Sequence, residues 1–203
     1  MEKSNNKRSV NTSLKIAFIP LAVGINLGIG AIVQVLKLPV FLDSVGTIIT
    51  ALLLGWKAGA TVGVLGFAVS SITIFPPAIY FSLTQVCIAI YVFLAGNVGG
   101  FRSFSRTIFS GLGLAVLAAI VSAPVIYYLF GGITGNGISV LTLFLEAKGL
   151  SKASAVIISG IIAEFLDKVT QCLIAVYILQ RIPKTLIQQF KNKSLVSNNF
   201  IRE

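Results

Sequence analysis

The stretch Glu164-Phe165-Leu166-Asp167-Lys168-Val169-Thr170-Gln171 gathers groups that can donate, accept and carry charge. On a helix, Glu164 and Lys168 are four residues apart and meet on one face, one turn from each other. Asp167 and Gln171 make a second such pair that overlaps this face. Two carboxylates, an ammonium and an amide therefore converge. One use for them is a polar pocket that binds a small hydrophilic solute. The other is an internal ion pair that fastens this helix to its neighbours. A single pair would suffice for fastening, and the second carboxylate favours the pocket. Both readings stay open at the level of sequence.

Other chemistry finds little support. The chain has no His, which removes the commonest general base and metal ligand. Its six acids are Glu2, Asp43, Glu146, Glu164, Asp167 and Glu203. Cys87 and Cys172 both lie inside apolar stretches, which argues against a disulfide framework or a metal site. There is no P-loop, no GxSxG and no HExxH. The expectation is a protein that is not an enzyme and needs no cofactor.

Around the polar stretch, the composition is that of a membrane protein. The 203 residues are 56% hydrophobic and only 11% charged, with mean hydropathy +0.94. Soluble domains carry roughly 25% charged residues, and a water-soluble fold of this size cannot hide so much apolar surface. Disordered chains lack such aliphatic and aromatic content. Ionisable groups at membrane depth are costly and normally face a bundle interior or a wet cavity. This sharpens the interest of Glu164, Asp167 and Lys168.

Apolar segments of about 20 residues cross a bilayer as helix, so this chain has room for five or six crossings and no sizeable soluble domain. Residues 1–13 form a basic segment. The first apolar segment, Leu14 to Leu36, is too long for a signal-peptide core and reads as a retained helix. Lys37-Leu38-Pro39 ends it, because the residue before proline avoids the α region. A short segment, Asp43 to Gly55, is interrupted by Trp56-Lys57, and a third runs from Ala58 to about Ile74 with Gly59, Gly63, Gly66, Ser70 and Ser71. Phe75-Pro76-Pro77 is a stop, followed by a fourth segment from Ala78 to Val98. The fifth covers Thr107 to Phe130, and Ile138 to Ala147 fits a short interfacial helix. The last, Ala153 to Leu179, carries the polar stretch and ends at Arg181-Ile182-Pro183. The expected architecture is an all-α, integral membrane bundle of six transmembrane helices over residues 14–182, with a basic tail over 183–203. No pair of halves repeats with corresponding broken helices, which counts against an inverted-repeat transporter.

Six crossings place both termini on one side. With cytoplasmic termini, twelve basic residues fall inside (Lys3, Lys7, Arg8, Lys15, Lys57, Arg102, Arg106, Arg181, Lys184, Lys191, Lys193 and Arg202). Lys37, Lys148 and Lys152 fall outside, and Lys168 within the membrane. The bias assigns cytoplasmic termini in a bacterial-type plasma membrane. The same topogenic charge accounts for the basic excess without a nucleic-acid partner.

Further candidates lie towards the outer ends of these helices. Gln34 is near the end of the first, and Asp43-Ser44 opens the second, where Asp43 reads first as an N-cap and also as a solute contact. Tyr80, Thr84 and Gln85 occupy the outer turns of the fourth. Tyr127, Tyr128 and Asn136 flank the fifth loop, the tyrosines most simply as an interfacial belt. Gly24 and Gly28 form a GxxxG, a close-packing face either within the bundle or toward a partner.

Six helices in about 200 residues, Leu42-Asp43-Ser44-Val45-Gly46-Thr47 at the start of the short helix, and Gly55-x-x-Ala58-Gly59 after it resemble an S component, the substrate-binding subunit of energy-coupling factor (ECF) vitamin importers. The resemblance extends from Leu14 to Pro183, and Glu164-x-x-Asp167-Lys168 is similar to one branch of that family. It implies a subunit that binds a vitamin from outside without hydrolysing ATP. Its partners would be a transmembrane coupling subunit and two cytoplasmic ATPases, and it would topple in the membrane to release solute. Gly24-x-x-x-Gly28 is the nearest equivalent here of the family's Ala-x-x-x-Ala docking motif.

Glu164, Asp167, Gln85 and Asn136 suit a donor-rich heteroaromatic such as an aminopyrimidine or pyridoxine. A carboxylated solute such as pantothenate would require a cation, for which Lys148 and Lys152 are available. The reading from a different class is an assembly or scaffold membrane protein whose polar stretch is only structural.

Overall fold

The computed structural model describes residues 12–133 and 137–183, and all regular structure among them is helical. In chain order the elements are α1 (Thr12–Val35), α2 (Val45–Leu54), α3 (Trp56–Thr73), a 3₁₀ turn (Pro76–Phe81), α4 (Ser82–Asn97), α5 (Phe104–Phe130), α6 (Gly137–Ala147) and α7 (Lys152–Arg181). The basic N-terminal segment through residue 11, the candidate Asn136 and the basic tail from residue 184 lie outside the described residues.

Local chemistry explains where helices break. Gly55 ends α2 and begins α3 with φ 98° and ψ 167°, a backbone conformation that side chains disfavour. The break therefore falls at Gly55, and Trp56 and Lys57 belong to α3 rather than separating two segments as the sequence suggested. Phe75 is extended, and the two prolines that follow open the 3₁₀ turn, where a missing N–H costs nothing. The expected fourth segment is thus a tight turn to Phe81 followed by α4. Ser103 and Ser151 cap α5 and α7, each accepting from the backbone N–H three residues on.

At the centre stands α2. All ten of its residues are buried, as expected of a short helix that is apolar on every side. At ~1.5 Å per residue it is about 15 Å long, too short to span a bilayer by itself. It is surrounded by α1, α3, α4 and α7, while α5 and α6 pack on α7. Two glycines allow unusually close approach. A Cβ at Gly59 would lie 2.8 Å from the Ala51 Cβ, and one at Gly111 would lie 2.9 Å from the Val169 Cα. Ile48, Leu53, Ile88, Val92 and Leu114 fill the core between them.

The outside of the bundle is apolar. Ile72, Val98, Phe104, Phe109 and Tyr128 are all at least 70% exposed, whereas Glu164, Asp167, Lys168 and Gln171 are buried. Such an inversion is the pattern that lipid selects. Among the described residues, three stretches are long and apolar enough to cross a membrane: Ile16–Val35, Pro76–Asn97 and Phe104–Phe130.

Candidate functional site

A cavity of about 90 Å³ lies between the C-terminal half of α1, the 40–44 loop, the end of α3, the 3₁₀ turn, the start of α4, α5 and the middle of α7. At roughly 10–15 Å³ per water-sized site, it has room for several waters or one small solute. Gln34, Asp43, Thr84, Gln85, Glu164 and Lys168 line it. These positions come from four separate parts of the chain, and their convergence is a property of the fold.

One wall is held by α7. Asp167 Oδ1 accepts the backbone N–H groups of Phe41 at 2.8 Å and Leu42 at 2.7 Å. Its Oδ2 accepts from Lys168 Nζ at 2.5 Å and from Gln171 Nε2 at 2.6 Å. Gln171 Oε1 in turn accepts the Ser44 N–H at 3.0 Å. Three backbone donors of a loop that would otherwise be buried unpaired are satisfied by two side chains one turn apart. Leu42 has φ 49°, a left-handed conformation that costs an L-residue of this kind roughly 1–2 kcal/mol. The bonds from Asp167 and Gln171 hold the loop in that conformation.

A second wall is a chain of hydrogen bonds running in one direction. Gly46 N–H donates to Asn26 Oδ1 at 2.6 Å, and Asn26 Nδ2 donates to Thr47 Oγ1 at 3.0 Å. Thr47 donates to Gln85 Oε1 at 2.9 Å, Gln85 Nε2 to Ser44 Oγ at 2.7 Å, and Ser44 to Asp43 Oδ1 at 2.8 Å. Each hydroxyl accepts one bond and donates the next, an arrangement in which successive bonds polarise one another. Two glycines make it possible. A Cβ on Gly46 would run into the Ala22 carbonyl, and one on Gly63 would lie 2.6 Å from the Gln85 Cβ.

Asp43 is not the N-cap of α2, contrary to the expectation from its place before the apolar run. Ser44 occupies that position, with φ −123° and no side-chain cap bond. The buried N-terminus of α2 draws its partners from α1 and α7 instead. Asp43 is released to end the hydrogen-bond chain and to line the cavity.

Glu164 differs from Asp167. It is 4% exposed, yet Oε1 receives only a long 3.4 Å contact from Ser122. Its Oε2 lies 3.3 Å from Lys168 Nζ, an ion-pair distance, and has no hydrogen-bond partner. Lys168 also sits over the Phe41 ring, 5.7 Å from its centroid.

Other candidates lie elsewhere. Tyr80 is 56% exposed on the 3₁₀ turn, packed edge-on against Phe130, and does not line the cavity. Tyr127 and Tyr128 are exposed and pack edge-to-face on each other. Gly24 and Gly28 are exposed, and a Cβ on either would meet nothing within 4 Å. The GxxxG therefore faces outward instead of packing within the bundle. Sequence reasoning passed over Asn26, Thr47 and Ser122. Asn26 had a visible signal, as a lone amide in an apolar helix, where polar side chains find interhelical partners.

Scans against protein-family models, curated proteins and solved structures return no match to this chain. Fold and site together define a class: an all-helical protein with an apolar exterior and an ion-paired polar cavity inside.

Proposed function

We propose that this chain is the solute-binding subunit of an ECF-type importer, a six-span plasma-membrane protein with cytoplasmic termini. It would capture a water-soluble vitamin or precursor from outside and deliver it inward with a coupling subunit and two ATPases. The resemblance of the sequence to S components supplies the family. The observation that carries the solute-binding part is the cavity beside Glu164, whose buried Oε2 lacks a hydrogen-bond donor. That oxygen keeps only the Lys168 ion pair at 3.3 Å, so a ligand donor placed there adds a hydrogen bond that the protein does not supply. The cavity lies at the end of the bundle formed by the 36–44 loop and the α3–α4 turn, the end that the charge bias assigns to the outside. Pyridoxine-type, hydroxymethylpyrimidine-type and pantothenate-type solutes all fall within this reading. The outward-facing Gly24 and Gly28 belong to the surface proposed to meet the coupling subunit.

Mass spectrometry of small molecules released on denaturing the protein, purified from vitamin-rich medium, tests the reading. A stoichiometric solute supports it. A chain that carries none, and that purifies without ATPases, supports the alternative of a structural membrane protein, for which the saturated bonds of Asp167 and Gln171 speak. A reporter fused after Glu203 tests the topology, and activity on the outer side would overturn it.

A further inference from the structure

We propose that the cavity selects a planar, cationic solute whose protonated nitrogen donates to Glu164, and that it rejects carboxylates. This deepens the importer reading and rests on it. The cluster holds three carboxyl groups, on Asp43, Glu164 and Asp167, and one ammonium, on Lys168. Lys168 is already engaged by Asp167 Oδ2 at 2.5 Å and is 3.3 Å from Glu164 Oε2. An anion entering to meet Lys168 would have to displace these contacts and sit among like charges. A cation entering beside Glu164 meets an oxygen that has the Lys168 ion pair at 3.3 Å but no hydrogen bond of its own. Three carboxyl groups to one ammonium give the cluster more capacity to balance an added cation than an added anion.

The hydrogen-bond chain points the same way. Thr47 and Ser44 commit their hydroxyl donors along it toward Asp43, and Asn26 and Gln85 each commit one amide N–H. Phe41, Phe67, Phe75 and Phe81 also line the cavity. Aromatic faces favour a flat ring and attract positive charge.

Three probes of nearly one shape separate charge from size: benzamidinium, benzamide and benzoate. They would be titrated calorimetrically into the full-length chain in detergent. The expected order is benzamidinium, then benzamide, then benzoate, with at least about tenfold between the ends, equivalent to about 1.4 kcal/mol. Glu164→Gln should collapse that ratio, whereas Tyr80→Phe, outside the cavity, should keep it. If Glu164→Gln fails to purify, Glu164→Met, which also leaves the Lys168–Asp167 pair in place, answers the same question. Benzoate binding as tightly as benzamidinium, no binding of any probe, or an unchanged order without Glu164 would each overturn the inference. An anionic solute released from the native protein would overturn it too, while leaving the importer reading intact. Absence of any released solute removes the importer reading itself.

Discussion

Asp167 and Glu164 are both acids on one face of α7, three residues apart, both buried, and both within ion-pair distance of Lys168. Asp167 accepts four hydrogen bonds, two of them from the backbone of a loop more than 120 residues away in sequence. Glu164 has one long contact and an oxygen with no hydrogen-bond partner. The difference lies in what stands opposite. Asp167 faces backbone N–H groups that need an acceptor, and Glu164 faces a cavity. A buried carboxylate that saturates its neighbours is part of the fold, and one that does not is available to a ligand.

The largest effect expected from this contrast is that of Asp167→Ala. It leaves the Phe41 and Leu42 N–H groups and Lys168 without their acceptor, and breaking a buried pair in this way costs about 3–5 kcal/mol. In a chain of this size that is a drop of ~10 °C in Tm, read by thermal unfolding in detergent. A variant of wild-type Tm with impaired solute binding would reverse the roles assigned to the two acids. Next comes Gly46→Ala, which forces a methyl against the Ala22 carbonyl and lengthens the Gly46–Asn26 bond, at about 1–3 kcal/mol. A normal Tm for that variant would show that α1 and α2 can move apart freely.

Glu164→Gln should behave in the opposite way to Asp167→Ala. Its Tm should stay within about 1 kcal/mol equivalent of wild type, since Lys168 keeps Asp167. Binding of the released solute should weaken by about tenfold or more. If the Tm instead falls as far as in Asp167→Ala, both acids are structural and the contrast is lost. Gly24→Leu and Gly28→Leu should leave the Tm unchanged, because each position opens onto space, while co-purification with ATPases is lost. Retention of the partners would remove this face of α1 from docking. The smallest effect is that of Tyr80→Phe, expected within ±0.5 kcal/mol in stability and with no measurable change in solute affinity. A binding defect there would mean that the 3₁₀ turn closes over the solute.

The helical class, the stops at Pro39 and Pro76-Pro77, and the polar face of α7 were legible in sequence because each is a local matter. Apolar runs, proline sterics and a spacing of four act within a few residues of the chain. Local reasoning also had limits at short range. Trp56-Lys57 looked like the break, but a chain reversal needs positive φ and not polarity, and Gly55 supplies it.

Patterning along the chain is enough to make it helical and rich in apolar segments, with one turn of helix where charge is concentrated. It did not determine which charges are spent. Asp43 could be read as a cap until α2 was found to draw on Asn26 and Gln171, and Asp167 and Glu164 looked alike until the 41–44 loop was seen against only one of them. Tertiary structure decided these roles because the worth of a buried polar group depends on what remains for it to bond once water is gone, and those partners arrive from distant parts of the chain.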